Sequence, residues 1–373
     1  MKLLDICDIS GNPVKKFIGN KKYIATGDVI DNVISSYTIV NYDNKPSRAN
    51  VEISKNELLF AKMINTKKVL LSNDDNIKNI YSTGFYCLRP KENVDIKYLY
   101  YLINSESFNN QKDKNCSGAT QKAISNDGLA KIVISDIPNY NVQKRIANIL
   151  KKIDSLISVK KQQVIKFDEL IKSQFVEMFG NYDLTTNLSK YIKELRGGKS
   201  LAGTEVCINK VLKTGAATFG WFDSNQFKYL PKNYIPLEEH KVETGDVIIS
   251  RMNTPELVGA CSYVFKAPDN MYYPDRLWKT ILKDNNNPIF LWQLLWDDKI
   301  RKQIKENSAG TSGTMQNISK QKLLEIKCID APIELQNKFA KIVEQIDKQK
   351  FEFENSLKKL EELQASLMQE YFG

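Results

Sequence analysis

The chain holds one histidine in 373 residues, and that one, His240, sits in the charged run Leu-Glu-Glu-His-Lys. A histidine in so charged a run is expected to be solvated, so no Ser-His-Asp triad is expected. The six cysteines (Cys7, Cys87, Cys116, Cys207, Cys261, Cys328) lie far apart with no Cys-x-x-Cys pair, which excludes a zinc cluster. Thiols so scattered in a chain of this size fit a reducing cytoplasm, not a disulfide framework. No apolar run reaches the ~18 residues that a membrane span needs. The richest stretch, Ile289 to Trp296, is short and contains Gln293. Asp5 and Asp8 stand where a signal peptide keeps an unbroken apolar segment, so the expected location is the cytoplasm. An Asn-Pro-Pro-aromatic motif is also missing, and with it the active site of a DNA amino-methyltransferase.

Two near misses complete the exclusions. Gly197-Gly198-Lys199-Ser200 resembles the end of a phosphate-binding loop, but the pattern G-x-x-x-x-G-K-[ST] needs glycine where Lys193 stands. A flexible basic loop near DNA is the better reading. Pro274-Asp275 followed by Glu325-Ile326-Lys327 imitates the acidic-acidic-lysine set that binds Mg²⁺ in nucleases. The separation is 50 residues, and Glu and Lys flanking a buried Ile is ordinary strand alternation.

What is present is a basic, ordinary globular composition. Lys and Arg number 54 against 44 Asp and Glu, giving a net charge of +10 and a pI near 9.0, which points modestly to a polyanionic partner. With 42% hydrophobic and 26% charged residues the chain can bury cores. Its length calls for two of them.

A duplication organises the chain. Gln143 to Gly180 aligns without gaps on Gln336 to Gly373 at an offset of 193, with 12 identities over 38 positions, including Asp154/Asp347 and Phe179-Gly180/Phe372-Gly373. Further back, Glu57 to Met63 parallels Asp246 to Met252, and Thr26-Gly27 parallels Thr214-Gly215. Just upstream of the helix, Thr120, Ile124, Ser125, Leu129, Ile132, Asp136 and Pro138 match Thr314, Ile318, Ser319, Leu323, Ile326, Asp330 and Pro332. Four blocks in the same order make two copies of one unit. The expected organisation is a globular domain over 1–142, a long helix over 143–180, a second domain over 181–335 and a second helix over 336–373.

Both long segments lack proline and carry no glycine before their last residue. Apolar residues recur at Ile146, Ile149, Ile153, Leu156, Phe167 and Leu170, and at Phe339, Ile342, Ile346, Phe353, Leu360, Leu363 and Leu367. Steps of three, four and seven define one apolar face. At ~1.5 Å per residue each helix spans roughly 57 Å, so the two stripes are expected to pair as an antiparallel coiled coil. Lys160, Gln163, Gln349 and Ser356 interrupt the stripes with polar side chains. In the globular parts, strands are expected at Val247-Ile248-Ile249, Ile132-Val133-Ile134 and Phe85 to Leu88. Helices are expected over Tyr98 to Phe108 and Phe290 to Ile304. The fold class is α+β: two similar domains separated by two long antiparallel helices, with an internal pseudo-two-fold duplication.

This arrangement resembles the specificity subunit of type I restriction–modification systems, over the whole chain. The pieces that carry the likeness are Gly118-Ala119-Thr120-Gln121-Lys122-Ala123-Ile124-Ser125 and Gly313-Thr314-Met315-Gln316-Asn317-Ile318-Ser319. Each leads through a proline turn into a long helix beginning Gln-x-x-(Ile/Phe)-Ala. Asp246 to Arg251 is also similar to a strand of such recognition domains. One departure is Asn56-Glu57 and Lys62 where the second copy has Gly245-Asp246 and Arg251.

The resemblance implies two target-recognition domains, each reading half of a bipartite double-stranded DNA site. It further implies helices that set the gap and dock two methyltransferase subunits, with a translocase–nuclease subunit as an optional partner. No cofactor is implied for the chain itself; AdoMet, Mg²⁺ and ATP belong to the partners. Base reading needs polar heads on rigid supports. The candidates are the aligned pairs Thr26/Thr214, Lys62/Arg251 and Gln121/Gln316, together with Lys122, Arg196, Lys199 and Lys213. Two other readings stay open at this point: a Mg²⁺-dependent DNA endonuclease, and a coiled-coil scaffold without DNA binding.

Overall fold

The computed structural model describes every residue except Thr120, Gly313 and Thr314, and all side chains but those three and Thr311 and Ser312. Two compact units result: residues 1–162 with 354–373, and residues 163–353.

Each unit is built on the same sheet plan. In the first, four antiparallel strands run in the order Cys7–Ser10, Phe85–Pro90, Leu58–Ala61, Val69–Leu71. In the second the order is Ile192–Gly197, Leu277–Leu282, Val247–Ser250, Cys261–Tyr263. A smaller sheet accompanies each and contains a parallel pair, Lys21–Ile24 with Ile80–Ser82 and Lys210–Leu212 with Met271–Tyr272. Leu58–Ala61 and Val247–Ser250 are buried at every residue, which explains why Val247-Ile248-Ile249 is a continuous apolar run instead of an alternating one.

Three local expectations change. Ile132 to Ile134 forms only a bridge, because its partners lie at the chain start: Leu3 N donates to the Ile132 carbonyl and Ile134 N to that of Met1. The stretch Tyr98 to Phe108 is two helices, Ile96–Asn104 and Glu106–Lys114, and Phe290 to Ile304 is likewise Pro288–Trp296 and Asp298–Asn307. The breaks fall at Ser105 and Asp297, whose side chains accept from backbone N–H groups of the following helix.

The long helices run over Tyr140–Phe179 and Ile333–Phe372 and contribute to both units. Their shared Gln-x-x-x-Ala start has a packing reason. Gln143 is buried; its Oε1 accepts from Asp95 N at 2.9 Å and its Nε2 donates to the Pro138 carbonyl at 2.8 Å. Gln336 repeats this with Asn287 N at 2.9 Å and the Ala331 carbonyl at 2.8 Å. Asp95 and Asn287 in turn cap the helices Ile96–Asn104 and Pro288–Trp296. One satisfied amide thus ties each long helix to its domain.

Within the first unit, Asp154 accepts from Tyr101 Oη at 2.5 Å and from Gln364, and Lys161 pairs with Glu361 at 2.9 Å. Within the second, Phe167 meets Phe353, Asp168 pairs with Lys350 at 2.7 Å, and Phe175 packs on Phe339. Partner numbers fall as the first helix advances, so the helices are antiparallel in each unit.

Ile146, Ile153, Phe339 and Ile346 are buried, whereas Ile149, Phe167, Ile342 and Leu360 are only partly so. Leu170 and Leu363, taken as pairing residues, are instead 42% and 47% exposed. The buried line passes through Leu150, Ile157, Ile171, Phe175 and Val343; Leu150, Ile157 and Ile171 keep heptad spacing, and Leu170 is exposed because it sits one position off that row.

Candidate nucleic-acid interface

Each buried core strand ends at a basic residue. Lys62 follows Leu58–Ala61 and Arg251 follows Val247–Ser250. Their backbone settings are equivalent. Lys62 N donates to the Gly84 carbonyl at 2.9 Å, and the Lys62 carbonyl accepts from Ile124 N at 3.0 Å. Arg251 N donates to the Arg276 carbonyl at 3.1 Å, and the Arg251 carbonyl accepts from Ile318 N at 3.1 Å.

Each cationic head lies near a ring of the neighbouring strand. Lys62 Nζ is 4.1 Å from the Tyr86 centroid, and Arg251 Cζ is 5.8 Å from that of Trp278. Burial pushes the Lys62 ammonium below the usual lysine range. Arg251 Nε is buried without a hydrogen-bond partner among the described residues. Cations partly withdrawn from water gain from an acceptor that arrives from outside.

The other candidates divide between these two centres. Thr26 begins a short 3₁₀ turn beside Gly84, where an added Cβ would stand 3.0 Å from Thr26 Cγ2; Thr26 and Lys62 therefore meet at one glycine. Lys122 and Gln121 are exposed, and the Lys122 carbonyl accepts from Ile64 N at 3.1 Å, which holds that loop next to Lys62.

In the second unit, Lys213 and Thr214 line a cavity of about 310 Å³ together with Asp275 and Arg276. Because Arg276 also takes the Arg251 N–H, Lys213, Thr214 and Arg251 gather around it. Gln316 lies opposite Asn253 on adjacent strands, and its Oε1 accepts from Ser308 Oγ at 2.6 Å. Lys199 is exposed. Of the paired motifs, Thr120, Gly313 and Thr314 lie outside the described residues.

Arg196 behaves differently. Its guanidinium makes two bonds to Glu194, at 3.0 and 2.8 Å, and these hold it above the usual arginine range. Two of its five N–H donors are engaged in this way. His240 also departs from the solvated run that its neighbours suggest, since its side chain is only 11% exposed. Among the described residues no group of three or more His, Cys, Asp or Glu is placed to hold a metal ion, and no helix is long and apolar enough to cross a membrane. Sequence reasoning missed Tyr86 and Trp278. Their signal was an aromatic residue at matching places in the two central strands.

The family described as the type I restriction modification DNA specificity domain matches this chain twice, over residues 1–167 and 165–365. The EcoKI specificity subunit of Escherichia coli K12 is 22% identical over 352 residues, covering 86% of this chain and 75% of that one. The HindI specificity subunit of Haemophilus influenzae is 23% identical over 184 residues, covering 47% and 40%. Among solved structures, the S subunit of a type I system from M. genitalium aligns with a TM-score of 0.58 at 16% identity, over 100% of this chain and 95% of that one. A chain from work on complex assembly and conformational transition of a type I system gives 0.61 at 16%, over 100% and 96%. These two likenesses concern the fold. Two family matches laid over two copies of one sheet plan make the chain a member of the type I restriction–modification DNA specificity family, a specificity subunit and not one of the subunits that carry the chemistry.

Proposed function

We propose that this chain reads a bipartite duplex DNA site, one half with each of the domains at 1–142 and 181–335. The helices at 143–180 and 336–373 set the spacer between the halves and dock two methyltransferase subunits. The observation that carries this reading is the duplicated placement of Lys62 and Arg251, each at the end of a buried strand with a threonine close by. A rigid support and a donor-rich head are what base-edge reading requires.

Lysines spread over both domains, with 19 basic and 15 acidic residues in 1–142 and 21 and 18 in 181–335, supply phosphate contacts that position without specifying. The helices suit a spacer because they contain no proline and no interior glycine. AdoMet, Mg²⁺ and ATP are used by the partners, a translocase–nuclease subunit among them where one is present, and the complex works in the cytoplasm.

The test is reconstitution. Purified chain alone should neither methylate nor cut duplex DNA, and adding an AdoMet-dependent methyltransferase partner should produce methylation at a two-part sequence. Turnover by the chain alone that is lost in Asp275→Asn or Glu325→Gln would restore the endonuclease reading. Absence of salt-dependent binding to duplex DNA would favour the scaffold.

A further inference from the structure

We infer that Asp275 and Arg276 form a base-reading pair matched to guanine and cytosine, present in the second domain and without counterpart in the first. The inference rests on the proposed role as a bipartite DNA reader and names bases for one of its halves.

The Gly197-Gly198-Lys199-Ser200 run leads to it. A Cβ on Gly198 would stand 1.8 Å from the Tyr273 carbonyl oxygen, so only glycine lets the backbone pass, and Gly198 N donates to the Pro274 carbonyl at 2.9 Å. This close pass delivers Ser200 to Asp275. Ser200 Oγ donates to Asp275 Oδ1 and accepts from Asp275 N at 3.4 Å. The glycines thus position a carboxylate, not a phosphate. One oxygen of Asp275 is held, and the other stays open to accept.

Arg276 is exposed, and its side chain has no hydrogen bond or ion pair with another described residue. Its carbonyl receives Arg251 N, which fixes it beside a head already argued to face DNA. Lys213, Thr214 and Lys228 complete the wall of the 310 Å³ cavity. Three cations against one carboxylate make a concavity that attracts a polyanion.

The side chains differ in what they can recognise. Lys213 and Lys228 are flexible point charges suited to phosphates. The arginine fork matches O6 and N7 of guanine, and a carboxylate accepts from N4 of cytosine. Adjacent and not paired with each other, Asp275 and Arg276 can meet the major-groove edge of G and C together. In the first domain the carbonyl that plays the part of Arg276 belongs to Gly84, which has no side chain to offer.

The full chain is assembled with its methyltransferase partner and methylated sites are read by sequencing a randomised duplex library. Arg276→Ala should lower discrimination for guanine at one position of one half-site by about fivefold or more, leaving the other half-site intact. Arg276→Lys should not restore it, because the fork is gone. Arg276→Gln should move the preference toward adenine, and Ser200→Ala should relax the same neighbourhood by freeing Asp275. Uniform weakening on all sequences with a shallower salt dependence would make Arg276 a phosphate contact and overturn the inference, as would an unchanged motif. A parent complex with no bipartite motif would instead remove the proposed function itself, and this pair with it.

Discussion

At the entrance to its core strand the first domain carries Asn56 and Glu57, and the second carries Gly245 and Asp246. Asn56 and Gly245 both adopt positive φ, +62° and +97°, a region that these two residue types tolerate. Glu57 accepts from Ser54 N at 2.7 Å, and Asp246 from Glu243 N at 2.8 Å. Each acid then meets a base of the adjacent strand, Arg89 at 2.6 Å and Lys279 at 3.2 Å. The departure seen in sequence is one device built from different side chains. Duplication has preserved hydrogen-bonding roles and released residue identity.

The largest expected effects concern these ion pairs. Lys279→Met leaves Asp246 buried without its cation and should cost about 3–5 kcal/mol in the unfolding of the second unit. Arg89→Met should cost less, because the Arg89 side chain is 52% exposed against 9% for Lys279. Chemical denaturation of both variants ranks them, and the opposite order would break the comparison.

Next comes the helix face. Ile171→Ala should cost about 2–5 kcal/mol and Leu170→Ala under 1, roughly as for exposed sites. Equal losses would return Leu170 to the packed stripe.

For recognition, Arg251→Ala should weaken one half-site by about 1–3 kcal/mol if the contact is bidentate. Lys62→Ala should act on the other half-site only. A change at the same half-site in both variants, read from methylated motifs, would contradict their equivalence.

The smallest effect is in pH. Burial raises the Glu57 carboxyl, but the bonds from Ser54 N, Cys87 and Arg89 outweigh it and hold Glu57 below the usual range. For Asp246 burial prevails and holds the carboxyl above it. The Glu57 charge therefore contributes stability that is present above its unfolded pKa and lost as pH falls through its lower folded value. The Asp246 charge does the reverse, disfavouring the folded state as pH rises through its raised value. Glu57→Gln should cost more at pH 7 than at pH 4, and Asp246→Asn less; stability measured at both values checks the signs.

The duplication and both helices were legible because identities survive where a group is satisfied in only one way, as at Gln143 and Gln336. The helix breaks were not, since Ser105 and Asp297 look like polar-face residues until they are seen to cap. Leu170 and Leu363 misled for a related reason: a leucine kept in both copies occupies an exposed flank. Ile132 to Ile134 reads as a strand locally, but its pairing depends on residues at the chain start. Among the candidates for the interface, alignment singled out Lys62/Arg251 through likeness. Arg276 was hidden because its counterpart is Gly84, and a difference between copies leaves no matching signal.

The central claim is that the two domains read independently. Residues 1–142 can be replaced by the first domain of another family member, and the methylated sequence of the complex determined with and without the exchange. One half-site should change while the other half and the spacer stay the same. A change in both halves, in a folded and active complex, would contradict the account.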